Sequence, residues 1–286
     1  MTCGRTGRGR ALLAALVLAG AAGCTSAGGD GPREDAGGRR TATAEPEAVA
    51  ALRAAERATG RAGSARVEST TTLGEDVSMT SSGTLAWADG LTGSLTVTYT
   101  GGSMAETMRE LGSATMQARY LADAYYARMG DEFAAEAGGR HWIRYDWDDL
   151  AGLGDSGSAL AEQIREAAPH QALRLLPAAG DAHRVGTETV RGEPATRYRA
   201  TVRVADLEEA ALRERLRQTG VRTQTLDVWI DGDGLLVKKV EKDRTETGQV
   251  TQISFYGDYG VPVRVAPPPA ADTQDFTALM PGPAGN

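Results

Sequence analysis

The chain has 286 residues, of which 31 are lysine or arginine and 38 are aspartate or glutamate, so its formal net charge is −7. An acidic chain without a basic stripe argues against nucleic-acid binding and against electrostatic docking on a membrane surface. Both of its 2 cysteines, Cys3 and Cys24, lie near the start, so the sequence after them has no disulfide to form.

The first 24 residues have the layout of a secretion signal. A basic stretch that ends at Arg10 precedes the apolar run 11–18, which is too short to span a bilayer. Residues 21–24, Ala-Ala-Gly-Cys, resemble a lipobox, in which the cysteine sulfur receives a diacylglyceryl group and the peptide is cleaved before it. We predict a lipoprotein signal peptide over 1–23 and lipid attachment at Cys24. The alternative is an ordinary secretory signal in which Cys24 has no role.

A linker and a helix follow the signal. Residues 24–45 are rich in Gly, Ser, Thr and Pro and lack apolar periodicity, which predicts a flexible tether between the lipid anchor and the domain. Pro46 suits the first turn of a helix that runs to Thr59. The apolar residues of this helix repeat at helical spacing: Val49, Leu52, Ala55 and Ala58.

Most of the remaining sequence predicts strands. Short runs of alternating apolar and polar residues are separated by turn sequences such as Asp89-Gly90 and Thr247-Gly248. Six strands are expected before residue 146 and five after residue 181, about eleven in total.

Helices are expected between and after these groups of strands. One covers 158–168 and is interrupted by Pro169. Another begins at Asp206, where Glu209 completes a capping box, and ends at Gly220. No internal repeat is evident, and we predict one domain over 46–276 followed by a disordered tail over 277–286.

The carboxyl-terminal stretch predicts three antiparallel strands and an extended ending. In the first strand apolar residues alternate with polar ones, and 231–234, Asp-Gly-Asp-Gly, supplies a hairpin turn. The second strand has Leu236 and Val240 on one parity. The opposite parity carries Lys239, Glu241 and Asp243. Prolines from Pro262 onward remove ladder donors and are expected to end the sheet.

Motifs in this stretch resemble a known family. Val228-Trp229-Ile230-Asp231, a glycine turn and a lysine-rich return strand are followed by 259–263, Tyr-Gly-Val-Pro-Val, and 268–273, Pro-Pro-Ala-Ala-Asp-Thr. This ending is similar to that of actinobacterial lipoproteins of the LolA/LppX/LprG type, and the order of elements agrees over most of the chain. The resemblance implies an α+β fold, an incomplete antiparallel β-barrel wrapped around several helices. It also implies an apolar cavity that holds lipid or a lipidated ligand.

Sequence motifs for catalysis or metal binding are incomplete. Residues 154–158, Gly-Asp-Ser-Gly-Ser, resemble a serine-protease loop, but the three histidines form no matching motif. Residues 231–234 begin like a calcium loop, but its later ligand positions are apolar or basic. Asp146, Asp148 and Asp149 are interpreted as a solvated helix start. We therefore predict a protein that is not an enzyme and that has no metal and no cofactor.

The predicted function is that of a lipoprotein, anchored to the extracytoplasmic face of the cell membrane, that binds an apolar ligand such as a lipid, glycolipid or acyl chain. The alternative is a surface lipoprotein that binds a protein partner and has a closed core, because a core and a cavity have the same polarity pattern. The residues expected to line a cavity are Leu160, Ile164, Leu207, Ala211, Leu226, Val228, Ile230, Ile253 and Phe255.

Overall fold

The structure, a computed structural model, describes residues 44–280 except 155–156, 159–160, 162–166, 179–180, 208–209, 219 and 246–247. The strands in this part are β1 (Ser64–Leu73), β2 (Val77–Ala86), β3 (Thr92–Gly101), β4 (Thr115–Tyr120), β5 (Ala124–Arg128), β6 (Trp142–Asp146), β7 (His183–Val190), β8 (Glu193–Arg203), β9 (Val221–Ile230), β10 (Leu236–Thr245), β11 (Gln249–Gly257) and β12 (Thr273–Asp275). The helices are α1 (Pro46–Ala62), α2 (Ser103–Glu110), α3 (Asp131–Glu136), α4 (Trp147–Gly152), α5 (Pro169–Ala178) and α6 (Ala210–Gln218).

All twelve strands form one sheet, in the order β12-β6-β5-β4-β3-β2-β1-β11-β10-β9-β8-β7. Neighbouring strands are antiparallel except β12 and β6, which are parallel. The sheet stays open, because its end strands β7 and β12 do not pair with each other. The predicted α+β fold with an incomplete barrel is confirmed, with twelve strands in place of about eleven.

Side chains alternate between two faces of the sheet. We call the face that carries Val67 and Val228 the helix-side face, because both residues pack in one cluster with Leu52 of α1. The opposite face, which carries Thr70 and Asp227, is called the open face. Residues paired across adjacent strands point to the same face of the sheet. Lys239 of β10 pairs with Val228 of β9 on one side and with Ser254 of β11 on the other, so all three lie on the helix-side face.

The first core cluster lies on the helix-side face beneath α1 and α5. Leu52 of α1 and Leu173 and Leu176 of α5 are fully buried, and burying each contributes about 1.5–3 kcal/mol. The Trp87 indole Nε1 donates to the Thr59 carbonyl oxygen at 3.2 Å, which ties the end of α1 to the sheet. Pro169 begins α5, in keeping with the preference of proline for the first helical turn, and the helix predicted over 158–168 lies mostly outside the described residues.

The second core cluster lies on the same face beneath α2, α3 and α4. Its buried residues come from these helices and from β3 to β6, and include Met108, Phe133, Ile143 and Leu150. Helices α2 and α3, of 8 and 6 residues, were missed by the sequence prediction because so few residues give little periodicity. The two clusters therefore cover two separate parts of the helix-side face.

The chain beyond Pro262 returns to the sheet. Arg119 Nη1 donates to the Ala266 carbonyl oxygen at 2.9 Å, and β12 then pairs with β6 and forms the edge of the sheet. The expectation that the prolines end the sheet is wrong. The proline-rich segment between β11 and β12 has no strand pairing, but β12 after it rejoins the sheet. Phe276 stacks on Tyr145 with ring centroids 4.8 Å apart, so packed structure continues into the 3-10 turn Phe276–Leu279.

Candidate ligand-binding face

Polar side chains cross the middle of the helix-side face, between the two apolar clusters. We call this set the central polar strip, and it consists of Ser69, Thr71, Ser81, Lys239, Glu241, Gln252 and Ser254. Strand register brings these residues together in two rows: Lys239, Ser254, Ser69 and Ser81 in one, and Glu241, Gln252 and Thr71 in the other. No single strand of the sequence shows this arrangement, because it arises from residues far apart in the chain.

The strip is only partly covered. Ser69, Thr71, Ser81 and Gln252 are half-buried, whereas the apolar residues on either side are mostly fully buried. The hydroxyls of Ser69 and Ser81 lie 2.8 Å apart and bond to each other. Half-buried Leu95 borders both apolar clusters, so apolar surface lies next to the strip. This amphipathic surface suits a ligand with both polar and apolar parts.

A β-bulge directs Lys239 into the strip. Leu236 pairs with Ile230 but Lys238 pairs with Trp229, so Val237 is an extra residue in β10. The extra residue reverses the parity of the strand, which places Leu236 on the helix-side face and Val240 on the open face. The prediction that Leu236 and Val240 share a face is therefore wrong.

Lys239 and Glu241 form an ion pair inside the strip. Lys239 Nζ lies 2.6 Å from Glu241 Oε2, and the two side chains are 12% and 21% exposed. Burial disfavours the Lys239 ammonium, but the Glu241 carboxylate outweighs it and raises the pKa of Lys239. Burial likewise opposes ionisation of Glu241, and the charge of Lys239 outweighs it to lower the pKa of that carboxyl.

Two polar side chains at the end of the strip have unpaired acceptors. Gln224 Nε2 donates to Glu241 Oε1 at 2.6 Å, but the buried Gln224 Oε1 accepts no hydrogen bond in the described structure. The buried Oδ1 of Asp243 is also unpaired there. Burial, followed by the neighbouring charge of Glu241, raises the pKa of Asp243 to about 7. Sequence reasoning missed this cluster because buried charged residues are rare.

Three of the predicted cavity residues lie together on the helix-side face. Leu226, Val228 and Ile230 are buried in the first cluster with Tyr256. Leu207 is buried in a separate cluster with Val202, Val204, Leu216 and Val221. Leu160, Ile164, Cys24 and the side chain of Ala211 lie outside the part of the chain that the structure describes.

Ile253 and Phe255 are the predicted cavity residues that the structure places elsewhere. The register aligns Ile253 with Val240 and Val240 with Asp227, all on the open face. Phe255 packs there against the cluster of Val190, Ala195 and Trp229. The prediction that these two residues share a face with Val228 is wrong, because β11 turns its polar parity, Gln252 and Ser254, toward the helices.

The open face holds a shallow pocket of about 590 Å³ that Ile253 and Phe255 help to line. Arg191 closes one side, with its guanidinium 4.4 Å from the Phe255 ring centroid and 2.7 Å from Glu68 Oε2. Hydroxyl side chains of β1 to β3 form much of its floor. Its polar lining differs from the apolar surroundings of the central polar strip.

The structure agrees with the interpretation of 231–234 as a hairpin turn and of Asp146, Asp148 and Asp149 as the start of a helix. Asp231 Oδ1 accepts from the backbone N–H groups of Asp233 at 3.0 Å and Leu235 at 2.8 Å, which fixes the hairpin turn. Asp146 accepts from the N–H groups of Asp148 and Asp149 and caps α4. Within the described residues there is no group of three or more His, Cys, Asp or Glu side chains placed to hold a metal ion.

Together, an open sheet that is antiparallel except at one pair of strands and helices gathered on one of its faces define an α+β domain. No protein-family model matches the chain. It is 48% identical to "Putative lipoprotein SCO4650" of Streptomyces coelicolor, across 97% of this chain and 98% of that protein. It is 47% identical to "Uncharacterized 31.2 kDa protein in rplA-rplJ intergenic region" of Streptomyces griseus, across 81% of this chain and 80% of that one.

The chain belongs to the family of these two Streptomyces proteins, and the predicted membership in an actinobacterial lipoprotein family is confirmed. Among solved structures it is similar to the lipoprotein LppX of Mycobacterium tuberculosis. That match has a TM-score of 0.49 and 15% identity, over 78% of this chain and 100% of LppX. Among the helices of the described residues, none is both long enough and apolar enough to cross a bilayer.

Proposed function

We propose that this protein is a non-catalytic, lipid-anchored carrier that binds an amphipathic ligand on the helix-side face of its sheet. The observation that carries the proposal is the half-buried central polar strip between two buried apolar clusters. A core that only stabilised the fold would gain by filling this region with apolar side chains. The ligand's acyl chain would lie against the apolar borders of the strip, and its polar end against the strip itself.

Hydrocarbon burial accounts for the affinity of such a carrier. Each buried methylene group contributes about 0.8 kcal/mol. An acyl chain that buries about ten such groups therefore gains roughly 8 kcal/mol, which corresponds to micromolar binding before the cost of immobilising the chain is subtracted. No catalytic group is required for this activity.

The proposed location is the extracytoplasmic face of the cell membrane. The sequence supports it through the predicted signal peptide over 1–23, the predicted lipid attachment at Cys24 and the predicted linker over 24–45. Two acyl chains on Cys24 would be sufficient for stable anchoring.

A pair of substitutions on neighbouring residues of β1 tests the proposal. Thr71→Trp places an indole in the central polar strip, whereas Thr70→Trp places the same side chain on the open face. Lipid extracted from each purified protein is quantified by mass spectrometry, and binding of a dansyl-labelled undecanoic acid is titrated after delipidation.

We expect Thr71→Trp to lose at least tenfold in dye affinity and most of its copurified lipid, with Thr70→Trp close to wild type. The melting temperature of Thr71→Trp should change little, because an indole that enters a ligand space does not overpack a core. Destabilisation of about 1–3 kcal/mol, with no lipid in the wild-type extract, would instead indicate a closed core.

A further inference from the structure

Four polar side chains form a cluster at the end of the central polar strip: Gln224, Lys239, Glu241 and Asp243. Gln224 is only 4% exposed, and its amide faces the cluster because Nε2 donates to Glu241. Its Oε1 and the Oδ1 of Asp243 are nevertheless unpaired among the described residues. Buried acceptors in folded proteins are almost always paired, so a donor is expected to occupy this position in the functional state.

We propose that this cluster is the head-group subsite of the carrier and that it takes a neutral or cationic group with hydrogen-bond donors, a hydroxyl or an ammonium. The inference rests on the proposed function, because it places the polar end of the same amphipathic ligand. Gln224 Oε1 is an acceptor in every state and Asp243 Oδ1 is an acceptor while that carboxyl is ionised, so the ligand supplies the donors. The charges of Lys239 and Glu241 cancel within their 2.6 Å pair, which leaves the cluster neutral or, with Asp243 ionised, negative. An anionic head group is therefore disfavoured.

The position of the cluster connects it to the rest of the ligand surface. Glu241 lies directly across from Gln252 in β11, and Asp243 lies across from Val250. Gln252 donates to Thr71 at 3.4 Å in the next strand, which continues the central polar strip toward the second apolar cluster. A head group at Gln224 and Asp243 thus leaves an attached acyl chain free to run along the apolar borders of the strip.

A series of ligands with one acyl chain and different head groups tests the subsite without any mutation. Monooleoylglycerol presents two hydroxyl donors, oleylamine presents an ammonium, oleate presents an anion and methyl oleate presents no donor. Each competes with dansyl-labelled undecanoic acid for the delipidated full-length protein. We expect the glyceride, the amine or both to bind at least tenfold more tightly than methyl oleate and oleate, a ratio that corresponds to about 1.4 kcal/mol.

Two variants locate the effect. Gln224→Met and Asp243→Leu remove the unpaired acceptors, and each should lower the affinity for the preferred donor ligand about tenfold while leaving that for methyl oleate unchanged. Thr223→Val, at the neighbouring β9 position, should change neither affinity. Because the ligand series uses the wild-type protein, a variant that fails to fold does not prevent the test.

The outcomes separate this inference from the function on which it rests. Equal affinities of the wild-type protein for all four ligands would overturn the head-group subsite and show that an ordered water alone satisfies these acceptors. Binding of none of the four would overturn the carrier function itself. A preference for the ammonium over the hydroxyl would identify the donor as a cation, and the reverse would identify it as a polyol.

Discussion

Replacing Lys239 with methionine tests the inward orientation of this residue. The substitution removes the ammonium that lies 2.6 Å from Glu241 and leaves a carboxylate that is 21% exposed without its counter-charge. Breaking a buried ion pair in this way typically costs about 3–5 kcal/mol. For a domain of this size, 1 kcal/mol shifts the melting temperature by about 2–4 °C, so Lys239→Met should lower it by roughly 6–20 °C.

The adjacent Lys238 provides a matched control. Its ammonium lies on the open face, 4.3 Å from the centroid of the Trp229 ring, and an exposed cation–π contact is worth about 0.5–1 kcal/mol. Lys238→Met should therefore lower the melting temperature by only about 1–4 °C. The double variant Lys239→Met/Glu241→Leu should recover most of the loss, because it removes both charges. Thermal unfolding followed by circular dichroism measures all three, and equal effects of the two lysine substitutions would refute the bulge-directed orientation.

Two further predictions concern charged residues of the sheet. Asp227, whose side chain is 4% exposed, accepts from Arg197 Nε at 2.7 Å and from Arg199 Nε at 2.9 Å. Asp227→Asn should therefore destabilise the domain by about 3 kcal/mol in chemical denaturation, and Glu68→Gln, at an exposed ion pair, by less than about 1 kcal/mol. Because burial raises the native pKa of Asp243 from its usual 3.8 to about 7, the stability contributed by its protonated form is lost as pH rises between these two values, so Asp243→Asn should gain stability over wild type from about pH 4 to about pH 7. A stability difference that is constant over this pH range would contradict the assigned environment.

The sequence predicted the parts of the fold that depend on local pattern. The alternation of apolar and polar residues in β9 predicted that Leu226, Val228 and Ile230 share one face of the strand. In the structure that face packs against the helices. Pro46 marked the first residue of α1. In these segments one face of the element is apolar and the other polar, so burial of the apolar face determines the orientation.

The face of the sheet to which a side chain points could not be predicted for strands that bear apolar residues on both faces, or for strands whose register shifts at a bulge. Phe255 and Tyr256 are neighbours in β11, and each packs against an apolar cluster on its own side of the sheet. The extra residue Val237 reverses the parity of β10, and no turn residue marks it. Pairing of β12 with β6 joins segments about 130 residues apart, which local pattern does not reveal.

The candidate site was harder to predict than the fold. A buried Lys239 and Glu241 contradict the general rule that charged residues lie at the surface, and only strand register brings them beside Gln224 and Gln252. The resemblance to lipid-holding lipoproteins indicated the helix-side face, but it did not indicate a polar strip across it. The site therefore follows from the register of β9, β10, β11 and β1 rather than from any one motif.

The most direct test of the carrier function is photo-crosslinking with a monoacylglycerol that bears a diazirine on its acyl chain. After irradiation of the purified protein, modified residues are located by tandem mass spectrometry. We expect modification of helix-side residues that border the central polar strip, such as Met79 and Leu95, with saturation as the probe concentration rises and loss of labelling in Thr71→Trp. Labelling confined to open-face residues such as Thr70 and Phe255, or unchanged in Thr71→Trp, would contradict ligand binding between the sheet and its helices.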